Sequence, residues 1–182
     1  MGQKRCTPEF ITELQPNEAF VFGSNLQGMH GGGAANIAYR KFGAIMGQGV
    51  GLQGQSYAIP TMQGGVETIR PYVDEFIAFA KENKNMTFLV TRIGCGIAGF
   101  NDEEISPLFE QAHGVENIVL PPNWWLLRMK TFLCANNREK ANTTNEIPKQ
   151  QEKKKKKKDE QTNEVDIVSN EDEISESEIV AI

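Results

Sequence analysis

Three consecutive glycines, Gly31, Gly32 and Gly33, stand between an apolar run that ends at Gly23 and an alanine-rich stretch beginning at Ala34. Glycine loses more backbone freedom on folding than any other residue, so an uninterrupted trio calls for a physical reason. At a strand-to-helix junction that reason is close approach of the main chain to a ligand. Without Cβ atoms in the way, the unpaired N–H groups of a helix N-terminus can meet an anion, and the helix dipole adds to the attraction. Ser24 and Asn25, at the strand end, could bind sugar hydroxyls or an amide. A flexible connection or tight helix–sheet packing is the structural alternative for the glycines.

The elements around this loop set the fold class. Glu18 to Gly23 has the short apolar character of a buried strand, and residues 34–42 carry helical spacing closed by Gly43. Residues 47–54 form a further glycine-rich loop leading into a second strand, 56–61. Val66, Ile69, Val73, Phe76, Ile77 and Ala80 then follow a period near 3.6, with Pro71 tolerable only in the first turn. A third strand, 87–92, runs directly into Ile93-Gly94-Cys95-Gly96-Ile97-Ala98-Gly99-Phe100, and Asn101 with Glu104 has the form of a capping box opening a helix to about His113. Residues 116–121 make a fourth strand. Residues 124–129 could add a final amphipathic helix packed on the sheet, with Trp124 and Trp125 as core residues. Strands alternating with helices predict a three-layer α/β/α domain on a mainly parallel sheet, with ligands held at the carboxyl ends of the strands.

Both glycine loops that follow strands one and three fall at that edge. Gly94 to Gly99 predicts a second nest of N–H groups ahead of a capped helix, and two such loops facing one another suit a diphosphate. Gly49 to Gly54 formally fits G-x-G-x-x-G, but it follows a helix and leads into a strand, the reverse of the dinucleotide-binding context. No Lys-Ser or Lys-Thr follows a glycine run, which excludes a P-loop.

Composition divides the 182 residues unevenly. From Asn136 onward there is neither glycine nor aromatic residue, too little apolar surface to offset chain entropy. Residues 1–135 are therefore expected to fold as one domain and 136–182 to form a disordered charged tail. The domain has nearly balanced charge, which gives no general field for nucleic acid. In the tail, Lys153 to Lys158 could contact nucleic acid or serve as a nuclear address. Val165 to Val168, followed by Glu171-Asp172-Glu173, resembles a SUMO-interacting segment. Three cysteines without metal-ligand spacing, and first residues lacking a signal-peptide core, point to a reducing cytosol, with the nucleus open in a eukaryotic setting. No stretch approaches the roughly 20 apolar residues that span a bilayer, and neither a metal nor a cofactor is expected.

The order of strand, Ser-Asn, Gly-Gly-Gly, alanine-rich helix, then "SYAIPT" and "FLVTRIGCGIAGFNDEEISPLF" resembles the macro domain superfamily, whose members bind ADP-ribose and related nucleotides. It is most similar to a compact bacterial and phage branch, and the Ile-Gly-Cys-Gly segment is similar to that of macro domains that remove ADP-ribose from glutamate or DNA. The resemblance covers residues 7–122. It implies that Asn25 faces the distal ribose, that Gly31 to Gly33 line ribose and phosphates, and that Gly94 to Phe100 wrap the diphosphate; Ser24, His30 and Ala34, as neighbours of that loop, are counted with the expected binding residues. Gly47 to Gln53 would lie near the same pocket. Many relatives hold adenine with an acid near the first strand, for which Glu13 is a candidate here.

Departures from the family bear on chemistry. Glutamate-type hydrolases carry a lysine nucleophile after the second strand, where this chain has Met62, and some relatives use an acid after the Gly-Cys-Gly-aliphatic segment, where it has Ala98. Neither can form a Schiff base or take a proton. His30 could be an exposed loop histidine or a ligand contact, and Cys95 a nucleophile or a packing residue. Binding of ADP-ribose or a derivative is the leading expectation. Hydrolysis of an ADP-ribosyl bond through a water positioned by phosphate and Asn25 is the alternative, and a scaffold with a vestigial cleft a third.

Overall fold

The computed structural model describes residues 6–143, with side-chain environments described to residue 135. At its centre lies β1 (Glu18–Ser24), whose alternating side chains feed two separate cores. Ala19 and Val21 join one hydrophobic cluster while Phe20 and Phe22 join the other, the period-two geometry of a strand covered on both faces. β3 (Ser56–Pro60) and β4 (Thr87–Val90) flank it in parallel, Val21 standing opposite both Tyr57 and Val90. β5 (Ile118–Val119) continues the parallel sheet beyond β4. At the other edge β2 (Gly51–Gln53) pairs antiparallel with β3, giving the order β2-β3-β1-β4-β5.

That edge strand corrects the loop expected over residues 47–54. Gly54, at φ 58°, supplies the turn of a hairpin in which Gln53 pairs with Ser56. Three residues are too few for an alternating pattern to be seen in the sequence.

One face of the sheet is covered by α1 (Gly33–Lys41), which sets Ala35 and Ala38 on Phe20, Phe22 and Ala58, and Gly43 closes it at φ 75°. The other face takes α2 (Arg70–Glu82) through Val73, Phe76, Ile77 and Ala80, with Pro71 in its first turn and a 3-10 turn over Val66–Thr68 before it. The three layers follow. α3 (Asp102–Ile105) opens on the expected capping box: the Glu104 N–H donates to Asn101 Oδ1 and the Asn101 N–H to Glu104 Oε2, each at 2.9 Å. The helix expected to reach His113 is α-helical for only one turn. Pro107, with no N–H for an i→i−4 bond, interrupts the α-helical ladder there, and residues Ser106–Gly114 wind as a 3-10 helix.

α4 (Pro122–Thr143) packs less than its sequence suggests. Trp124 is fully buried against Phe109, ring centroids 4.9 Å apart, whereas Leu126, Met129, Phe132 and Leu133 are exposed. Amphipathic packing is thus confined to the first turn. The helix continues past residue 135, with no glycine or proline between Asn123 and Thr143 to stop it. The lysine run at 153–158 and the segment 165–168 lie outside the described residues. Among the described residues no helix is long and apolar enough to cross a membrane.

The topology positions the site. β1 sends its chain toward β3 on one side while β4 lies on the other, so the loops leaving the carboxyl ends of β1 and β4 diverge and leave a crevice between them.

A candidate ligand cleft between two glycine loops

A cleft of about 410 Å³ opens at that point, within the size range of small-molecule sites. The loop after β1 lines it with Ser24, Asn25, Met29, Gly31, Gly32, Gly33, Ala34 and Ala35, and the loop after β4 with Thr91, Arg92, Ile93, Gly94, Gly96, Ile97 and Ala98. Thr61 and Met62 after β3, and Met46, complete the wall. The loops approach each other where a Cβ on Gly32 would lie 3.1 Å from Ile97 Cδ1.

Main-chain donors dominate this cleft. In the first loop the N–H groups of Gly31, Gly32, Gly33, Ala34 and Ala35 have no partner among the described residues, the first intrahelical bond being Asn36 N–H to Gly32 O. In the second, those of Gly94, Gly96, Ile97 and Ala98 have none either. The hydroxyl and amide side chains do the opposite and turn their donors inward. Ser24 Oγ donates to Gly49 O, Thr61 Oγ1 to Ser24 O at 3.4 Å, and Thr91 Oγ1 to Val21 O at 2.8 Å. Asn25 is occupied at both ends of its amide. Its Nδ2 donates to Met29 O at 2.9 Å and its Oδ1 accepts the Met29 N–H at 3.0 Å, closing the 25–29 turn. Asn25 therefore organises the loop whose wall it forms.

Five expected site residues, His30, Gln53, Cys95, Gly99 and Phe100, are not on the cleft wall. His30 is fully buried, its ring edge-on to Phe22, and its Nε2 sits 3.1 Å from both Ile45 O and Gln48 O. Two carbonyls can only accept, so Nε2 carries the proton and pins the glycine loop to residues 45–48. Gln53, also buried, takes the Ile45 N–H on Oε1 and donates from Nε2 to Gln48 O. Phe100 packs on the larger core, its N–H donating to Gly94 O, while Gly99 closes a turn onto Gly96 O. Glu13 is exposed and apart from the cleft wall. Of residues 47–53 none lines the cleft; the neighbouring Met46 does.

Cys95 points away from the cleft, its Sγ 3.5 Å from Asp102 Oδ1. Burial, then the negative Asp102 beside it, push the thiol up to about 12, the reverse of what a nucleophile needs. A thiol-reactive aromatic disulfide added to the native protein at pH 8 is expected to modify the exposed Cys6 and Cys134 quickly and Cys95 only after unfolding. Prompt release of three equivalents would contradict this environment.

Sequence reasoning did not single out Met29, Met46, Thr91 or Arg92. Arg92 carried a usable signal, as a lone cation at a strand end immediately before a glycine loop. The methionines carried none: Met29 sits unmarked inside the first loop, and Met46 comes from a segment that only the tertiary structure brings near.

No family model matches the chain, and no curated protein and no solved structure matches it significantly.

Proposed function

We propose that this cleft binds ADP-ribose or a closely related nucleotide derivative, held mainly by main-chain amides. The observation that carries the reading is the two sets of partnerless N–H groups on loops lining one cleft, a donor-rich surface suited to a diphosphate. The partly exposed Met29, Met46, Met62 and Ile97 add an apolar rim, a pliable contact for a planar base. The motif resemblance to macro domains supplies the particular nucleotide.

The wall favours binding over turnover. Among the residues lining the cleft there is no carboxylate, histidine, lysine or cysteine, so no side chain there can act as general base or nucleophile near neutral pH. Hydrolysis of an ADP-ribosyl bond would need a water activated by the ligand's own phosphates, and stands as the second reading.

Calorimetric titration of the full chain with ADP-ribose, beside Gly32→Glu, tests the proposal. Gly32 has extended backbone at φ −149°, which any residue adopts, and its Cβ would meet only the exposed Ile97. The variant is expected to melt like wild type and to lose binding, its carboxylate repelling phosphates from the first loop. A wild-type protein that gives no saturable heat, or a variant that binds equally well, would overturn the reading.

A further inference from the structure

We propose that Arg92 is the side chain that reads ligand charge in this cleft, and that Asp102 is the positioning residue that aims it. The inference rests on the reading of the cleft as a nucleotide site and adds a directional contact that main-chain amides cannot supply.

Arg92 is the one charged residue among those lining the cleft. It sits two residues beyond the end of β4, with its side chain 56% exposed. Its inner edge is fixed: Nε donates to Asp102 Oδ1 at 3.0 Å and Nη2 to Asp102 Oδ2 at 2.8 Å. A planar guanidinium held at two nitrogens has its orientation set, so the direction of its remaining N–H groups is decided before a ligand arrives. Nη1 makes no hydrogen bond within the described residues, leaving that edge for an anion with two acceptor oxygens, a phosphate or a carboxylate.

Asp102 is not an ordinary surface partner. Its side chain is 11% exposed and also accepts from Trp124 Nε1 at 2.8 Å and Asn123 Nδ2 at 3.4 Å. Trp124 is itself in the core. A rigid chain of contacts therefore runs from the core through Asp102 to Arg92, reducing the side-chain entropy that ligand binding would otherwise remove. A mobile surface arginine would lack that advantage.

The test measures binding of inorganic pyrophosphate and of ADP-ribose to the full chain by calorimetry, for wild type, Arg92→Gln, Arg92→Lys, Asp102→Asn and the double variant Arg92→Gln/Asp102→Asn. Loss of a charge-assisted contact predicts roughly 10- to 150-fold weaker pyrophosphate binding in Arg92→Gln. Arg92→Lys, which keeps the charge without the fork, is expected to lie between and to cover the case in which Arg92→Gln does not fold. Asp102→Asn should weaken binding severalfold alone but add nothing in the Arg92→Gln background, a non-additivity that general destabilisation would not produce. Wild-type binding in the folded Arg92 variants, or no pyrophosphate binding by wild type, overturns the assignment of Arg92, and additive losses overturn the role of Asp102. Arg92-dependent pyrophosphate binding without ADP-ribose binding would uphold the charge-reading role and sink the nucleotide reading alone.

Discussion

Gly49→Ala is expected to lower the melting temperature by about 10 °C, corresponding to about 3 kcal/mol, and to abolish ligand binding. A Cβ at this position would lie 2.1 Å from Asn25 O and 2.8 Å from Leu26 O, both main-chain atoms that no rotamer change can move. The partner segment has the same constraint from its own side. Gly28 has φ 65°, and its Cβ would fall 2.3 Å from Gln48 N. These two strips of backbone touch directly and are fastened by the Gly47 N–H to Gly28 O bond at 3.0 Å, by Ser24 Oγ on Gly49 O, and by His30 between Ile45 O and Gln48 O. Forcing them apart moves Met46 and the Asn25 turn, and with them one wall of the cleft. Gly31→Ala is the matched control, because a Cβ there would meet nothing within 4 Å. It should melt like wild type. Thermal unfolding of the two variants separates the possibilities: a Gly49→Ala protein as stable as wild type would mean that the strips can part without cost.

This joint explains why parts of the site were legible in the sequence and parts were not. Local signals survived folding: the apolar run of β1, the Asn101–Glu104 capping box and Pro71 in a first helical turn each depend on neighbours within four residues. The glycine runs mark the two loops as well, and Gly31, Gly32, Gly33, Gly94 and Gly96 line the cleft. What the sequence hid depends on distant partners. His30 looks like a loop residue, and only the return of residues 45–48 buries it. Gln53 and Ser24 serve the same joint, and Cys95 turns toward the Asp102 carboxylate that Arg92 and Trp124 also hold. Residue type alone selected the polar groups near the cleft but could not say which were already engaged by the protein. Under the proposed reading of the cleft, that distinction moves ligand recognition from Asn25 and His30 toward the main chain and Arg92.

Trp124→Ala is expected to cost about 4 kcal/mol, since a fully buried indole packed against Phe109 leaves a large cavity when removed. Trp124→Phe separates packing from hydrogen bonding: it keeps much of the ring volume but takes the Nε1 donor away from Asp102 Oδ1. Its consequence should depend on pH. Burial would raise the Asp102 carboxyl, but hydrogen bonds from Arg92 and Trp124 and the positive charge of Arg92 outweigh it and hold the group below its ordinary value of 3.8. A carboxyl with a depressed folded pKa stabilises the protein above its unfolded pKa, and that stabilisation is lost as pH falls through the folded value. Removing the indole N–H takes away part of the depression. The stability difference between wild type and Trp124→Phe should therefore be constant from about pH 5 to 8 and shrink only as pH falls below the ordinary carboxylate value, through the depressed range in which the folded Asp102 takes up its proton. Urea unfolding of both proteins across this range measures it. A difference that stayed constant down to pH 2 would assign the cost of the substitution to packing alone and remove Trp124 from the chain of contacts that fixes Arg92.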